Sequence, residues 1–285
     1  MLKLQAGEMD VAEFIPFSRV EELKGDPNLN MELFPSTRII YSPINTREKR
    51  ADGTPNPLAD VRVRQALNYA TDKDALIGLV LQGAGKAMTS PLMAAATQLS
   101  IDMSPLYGYD LEKAKALIAE AGLPAGTKIS MTILSGSADD STIFAALQQM
   151  WAPLGIDLIA DQVDGPTRGA KNKSGEFDIH TYGWVNDVND PSQVVGWLGY
   201  TPTANAVGTA WNNADFNALF EASNKEIDPA KRADDYAQMQ KIYAEAAPLL
   251  FMYETPFAVA ISKKVEGYIQ TPLGNDVFVE AQVKR

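Results

Sequence analysis

The chain has 285 residues, 46% of them apolar and 21% charged, which is enough to bury a core in roughly two domains. Its net charge of −11 excludes the basic footprint that neutralises nucleic-acid phosphates, and it disfavours docking on an anionic membrane. With no cysteine there is no disulfide framework, thiolate metal site or cysteine nucleophile, and the redox compartment stays open.

Residues 1–50 read as short strands and turns with one short helical stretch. Asp26-Pro27-Asn28 marks a turn, and Met31–Phe34 and Arg38–Tyr41 are strand candidates broken by Pro35-Ser36. The Gly- and Pro-rich run 50–58 reads as a loop. Val63, Ala66, Leu67 and Ala70 then fall on one helical face behind Asp60 as N-cap. Thr71-x-x-Asp74 resembles a capping box for a second helix ending at Gly83. Leu111, Ala114, Leu117, Ile118 and Ala121 predict a third, with Asp110 as cap and Gly122 and Pro124 as stops.

A strand is expected over 128–134, then a helix burying Ile143, Leu147, Met150, Trp151 and Leu154. Further strands are expected over 156–160 and 177–182. Helices follow at 215–225 and 229–246, and strands at 249–253 and 257–261. Helices alternating with strands between 60 and 246 imply an α/β lobe, and the strand-rich chain ends are positioned to pair with each other. No apolar run reaches the roughly 18 to 20 residues of a spanning helix. Residues 1–8 carry no long apolar core of a signal peptide, and the opening reads like the middle of a domain.

Several kinds of chemistry find no support. His180 is the one histidine, so a two-histidine zinc site is excluded, and its place inside a strand reads as structural. "GAGKAMTS" (83–90) fails as a phosphate loop: Val80 stands where the first glycine belongs, and Ala87 follows Lys86 where Ser or Thr should hold magnesium. Asp139-Asp140 and Asp234-Asp235 are explained by solvation and by a positive helix end. A hydrolase built on paired carboxylates remains a rival reading, though no pair stands out.

Five colinear segments carry a resemblance. "NPLADVRVRQALNYATDKDALIGLVLQGAGKAMTSPL" (56–92), "YDLEKAKALIAEAG" (109–122), "LQAGEMDVAE" (4–13), "GWVNDVNDPSQ" (183–193) and "APLLFMYE" (247–254) together resemble the family 5 extracellular solute-binding proteins, the dipeptide/oligopeptide group that serves ABC importers. The resemblance implies an α/β fold: the C-terminal lobe of a two-lobed, class II periplasmic binding protein. Residues 1–47 and 251–285 would be pieces of the first lobe and 48–250 the second, ligand-binding lobe. Family members are longer, so the chain looks like the C-terminal part of such a protein.

The resemblance also implies a binding module, not an enzyme, with no cofactor and no metal. A peptide would lie in a cleft between the lobes and pass to a membrane permease and, through it, to ATPase subunits. A monomer is expected, in the periplasm or lipid-anchored on the extracellular face, with no nucleic-acid partner and no membrane insertion by this part. Relatives of this group also take nickel complexes, haem, sugars or opines, so a non-peptide solute is the alternative. By the family's pattern the acid three residues after the Gly-Trp tryptophan, here Asp187, catches the peptide's α-ammonium group. Trp184 would form an apolar wall beside it, flanked by Tyr182 and Asn186. Val188 and Asn189 depart from the residues most typical between the two acids. On the residues alone, Asp187 reads as a candidate helix cap, with Asp190 before Pro191 the better one, and the ligand role comes from the resemblance.

Overall fold

The computed structural model describes residues 2–203 and 207–284. The chain opens with a single helical turn, α1 (Leu2–Gln5), and a two-residue strand, β1 (Val11–Ala12). Helix α2 (Val20–Lys24) and strands β2 (Leu29–Phe34) and β3 (Ile39–Pro43) follow. Next come α3 (Val61–Tyr69), α4 (Lys73–Leu81), β4 (Lys86–Ala87) and α5 (Leu111–Ala121). The central α/β run is β5 (Thr127–Leu134), α6 (Ala138–Trp151), β6 (Ile156–Val163), α7 (Gly165–Ser174), β7 (Ile179–His180) and β8 (Tyr182–Trp184). Helices α8 (Ser192–Leu198), α9 (Ala214–Ser223) and α10 (Pro229–Ala246) lead into β9 (Leu249–Glu254) and β10 (Phe257–Ser262). Two-residue strands at 265–266, 269–270, 276–277 and 282–283 form the C-terminal hairpins.

The helix starts follow local capping. Asp60 accepts from Arg62 N–H and Asp110 from Lys113 N–H, as the sequence predicts. The second helix departs from expectation. Its cap is Asp72, which accepts from Ala75 N–H, while Thr71 Oγ1 donates back to Leu67 O and accepts from Trp151 Nε1 at 3.1 Å. Thr71 is therefore a buried link between two helices, and the acid beside it does the capping. Helix α7 is absent from the sequence reading. Its residues, GPTRGAKNKS, offer no apolar stripe, and Asp164 and Gly175 alone mark its ends.

Three sheets organise the chain. β5 pairs in parallel with β6 and β7, giving the order β6-β5-β7. β4-β9-β3-β8 is antiparallel. The chain ends do pair: β10 lies between β1 and β2. The expected single strand over 177–182 is a correction, because the segment divides. Ile179 and His180 stay in the parallel sheet beside Met131 and Thr132, and from Tyr182 the chain joins β3, with Tyr41 opposite Tyr182 and Ile39 opposite Trp184. A continuous apolar alternation hides such a handover, since both halves have the same period.

β9 is buried along its whole length. Successive side chains of a strand point to opposite faces, and from Leu249 to Met252, before the register with β3 shifts and Tyr253 joins the α/β core, each face serves a different core. Leu250 and Met252 join the α/β core with Ile129, Leu147 and Trp151, whereas Leu249 and Phe251 join an aromatic core with Trp211, Phe216 and Tyr243. β3 divides the same way: Ile39 and Tyr41 face the aromatic core, and Ile40 packs on the α/β core. The central sheet is thus a partition. Removing a fully buried aromatic such as Trp151 would cost about 3 to 5 kcal/mol.

Candidate functional site

A cavity of about 470 Å³ opens beside the partition, where the N-terminal segment, β3, α6, α7 and β8 meet. Its size is that of a small-molecule or peptide pocket. β8 supplies one wall through Tyr182, Gly183 and Trp184, and Val185 continues it. Gly183 keeps the wall thin, since a Cβ there would come within 2.8 Å of Ile40 Cδ1.

Two of the four sequence-predicted residues, Tyr182 and Trp184, are among those lining the cavity, and both also pack against the aromatic core. Trp184 is half-buried. Its indole N–H donates to Asn186 Oδ1 at 2.9 Å, and its ring lies tilted against Trp197 at 5.3 Å between centroids. Tyr182 packs against Tyr41 and edge-on to His180. Asn186 is placed differently: it is 1% exposed, and its amide donates to Thr97 Oγ1 at 3.2 Å while its backbone N–H donates to Thr37 Oγ1 at 3.2 Å. It holds the Trp184 indole from behind.

Asp187 is exposed and lies past Val185, outside the residues lining the cavity. Its Oδ2 accepts from Gln193 Nε2 at 2.5 Å, and its N–H donates to Gln193 Oε1 at 2.9 Å. A neutral amide thus orients the carboxylate without neutralising it. Asp190 is the acid at the helix start: its Oδ1 accepts from Ser192 N–H at 2.8 Å, and both oxygens accept from Arg232 Nη2 at 2.9 Å. Burial alone would raise its pKa, but the bonds from Ser192 and Arg232 hold it below the usual carboxylate value.

The remaining lining comes from residues the sequence reading left out. Arg38 precedes β3. Ser137, Asp139 and Asp140 sit at the start of α6, and Arg168 lies on α7. Asp139 is exposed, whereas Asp140 is buried, contrary to the solvated role expected of it. Asp140 Oδ2 accepts from Leu134 N–H at 2.9 Å and lies 3.9 Å from Arg168 Nη1. Burial pushes its pKa up, against the pull of these partners. Phe14, 69% exposed, stands at the rim, in edge contact with Phe257. A distributed set of this kind leaves no motif, because its members come together only through the meeting of five chain segments.

His180 is buried between the Phe177 and Tyr182 rings, and burial lowers its pKa to about 4. No group of three or more metal-ligating side chains occurs among the described residues. No helix of the described residues is long and apolar enough to cross a membrane.

Haem-binding protein A of Haemophilus influenzae is 30% identical to this chain over 286 residues, covering 99% of the chain and 51% of that protein. The dipeptide-binding protein of Escherichia coli is 29% identical over 289 residues, covering 99% and 52%. The chain spans about half the length of the curated relatives it matches. The solved structure of HbpA2 from Haemophilus parasuis superposes with a TM-score of 0.80 at 29% identity, over 100% of this chain and 55% of that one. The likeness places the chain as the C-terminal lobe of a two-lobed periplasmic binding protein, completed by strands from both its ends. The model of bacterial extracellular solute-binding proteins, family 5, matches residues 1–206, and the chain belongs to that family.

Proposed function

We propose that the chain is about half of the substrate-binding component of an ABC importer, and that it takes short peptides into the cleft walled by Tyr182 and Trp184. The ligand would then pass to a membrane permease driven by ATPase subunits on the far side of the membrane. Residues 48–250 would be the second lobe, with 1–47 and 251–285 belonging to the first. The working site would be the periplasm or the outer face of the cell, as a relative named as a periplasmic protein supports.

The observation that carries the reading is the cavity itself. An apolar aromatic wall from β8 stands opposite the polar start of α6, in a family whose relatives include proteins named for dipeptide binding. A peptide entering such a cleft brings an ammonium group, and enclosing it without a partner is costly. Asp187, charged and held by Gln193 at the end of the wall, is proposed as that partner once the lobes close. Main-chain hydrogen bonding along the extended peptide would then leave side-chain identity largely unread. A haem or nickel complex is the second reading, since the relative with the highest identity given above is named for haem. The peptide is favoured by the number of relatives named for peptide binding. A carboxylate hydrolase is weaker still, because Asp140 is committed to Leu134 N–H.

The test is calorimetry on a polypeptide carrying both lobes, against a di- to pentapeptide pool. Binding is expected to weaken by about 2 to 5 kcal/mol in Asp187→Asn, as for an enclosed charge pair that loses one member. An unchanged affinity removes Asp187 from the site, and absence of heat with every peptide removes the peptide reading.

A further inference from the structure

Two carboxylates from opposite ends of the chain meet near the rim of the cleft. Glu13 follows β1 and immediately precedes Phe14. Asp276 lies in the C-terminal hairpin, directly opposite Gln270 in the pairing of 269–270 with 276–277. The carboxyl groups of Glu13 and Asp276 lie within hydrogen-bonding range of each other, and burial together with this contact pushes the Glu13 pKa up to about 7. Among the described residues neither acid forms an ion pair with a lysine, arginine or histidine. Neutral groups alone hold the two anions together.

Those neutral groups are Tyr268 and Gln270, which are 8% and 3% exposed. Tyr268 Oη donates to Asp276 Oδ1 at 2.7 Å, and Gln270 Nε2 donates to the same oxygen at 3.3 Å. Both side chains also reach Glu13. Gln270 Oε1, by contrast, is buried and accepts no hydrogen bond. A buried carbonyl oxygen left unmet is costly. A half-turn of the carboxamide exchanges its donor for its acceptor and turns Oε1 toward the two acids.

We propose that Glu13, Asp276, Gln270 and Tyr268 form a binding site for a calcium-sized divalent cation, which fastens the C-terminal hairpin to the N-terminal segment. The donors are all oxygen, as a hard cation requires. Two carboxylates balance a double positive charge, the carboxamide and phenol oxygens take one side of the ion, and water takes the side where Asp276 is exposed. Calcium accepts about six to eight oxygens in irregular geometry, whereas magnesium demands a near-ideal octahedron and keeps most of its water. Mixed charged and neutral donors on a hairpin suit the former. Binding removes the repulsion between the acids and satisfies Gln270 Oε1. It also ties the hairpin to the segment that carries Phe14. The Phe14 ring meets Phe257 edge-on at 6.4 Å, and a Cβ at Gly274 in the hairpin turn would come within 3.1 Å of the same Phe257 ring. The site lies outside the cleft lining and is independent of what the cleft takes.

The test is calorimetry of calcium chloride and of magnesium chloride into the 285-residue chain, at about pH 8 and about 0.15 M potassium chloride, where salt screens diffuse attraction to a net charge of −11. One calcium site is expected, about tenfold or more tighter than magnesium. Glu13→Gln and Asp276→Asn should each weaken calcium about tenfold or more, and Gln270→Met, which keeps the length and removes the oxygen, about threefold. Asp234→Asn removes an exposed acid elsewhere and should leave calcium affinity unchanged. The two acid variants relieve like-charge repulsion, so without calcium they should melt at or above the parent's temperature, and only the parent's should rise with calcium. Absence of calcium heat overturns the proposal, as does equal affinity for the two metals. Equal weakening in Asp234→Asn and Asp276→Asn means an adventitious ion only and overturns it too. Unchanged affinity in Gln270→Met overturns it whether or not the acid variants fold.

Discussion

Gly85 shows how a residue can attract the wrong explanation. In sequence it belongs to a stretch that suggests phosphate binding and then fails the pattern. In the structure its glycine character has a packing cause: a Cβ at Gly85 would lie 2.8 Å from the backbone oxygen of Glu254 and 2.4 Å from Leu81 Cδ1. Gly83, with φ of +81°, releases the chain from the end of α4. Gly85→Ala is expected to destabilise the chain by about 1 to 3 kcal/mol through overpacking against main chain that cannot withdraw. Urea denaturation would check this, and an unshifted midpoint would show that β9 yields after all. Arg38 and Arg168 illustrate the opposite limit. Nothing in their local sequence marks them, because only the meeting of separate chain segments brings both into one cavity, which is a property of the fold.

Among elements, the helices with caps and apolar stripes were legible at both ends, as α3 and α5 show. Where two acids and a threonine crowd one helix start, the sequence supports more than one cap. The structure chooses Asp72, and Asp72→Ala should therefore cost about 1 kcal/mol. Asp74→Ala, at an exposed position of the first turn, should cost less than half of that. Thermal denaturation of the two variants separates them, and equal losses would restore the capping-box reading. The division of β7 from β8 was not legible, because Phe177, Ile179 and Thr181 alternate as one strand would. What breaks the strand is the competition of two partners, β5 for its first part and β3 for its second, and neither is visible locally. That handover brings Tyr182 and Trp184 to the cleft, so the site depends on the one feature of this region that pattern reading could not supply.

On the scale of the whole molecule, the pairing of the chain ends around β10 was legible from composition, and the two-core partition was not. A strand buried on both faces reads as uniformly apolar whichever cores it serves. His180 sits near this partition and lends it a dependence on pH. Its folded pKa, about 4, is below the ordinary value of 6.5, because burial disfavours the charged ring. The unfolded chain therefore binds the extra proton first. The histidine's contribution is fully present above about pH 6.5 and is lost progressively as pH falls toward 4, by roughly 3 kcal/mol. His180→Gln should flatten the stability profile in that window. A slope equal to that of the parent would place the acid sensitivity elsewhere.

The claim on which the functional account depends is that ligand enters beside Trp184. Trp151 and Trp211 are buried, so among this chain's tryptophans Trp184 and its neighbour Trp197 are the ones placed to sense a ligand, and Trp184→Phe identifies the part of an emission change that comes from Trp184. With a polypeptide carrying both lobes, titration with short peptides is predicted to give a saturable emission change that disappears in Trp184→Phe while calorimetric binding persists in weakened form. Peptide binding with the same emission change in Trp184→Phe as in the parent would contradict the account, and would move the site away from the β8 wall.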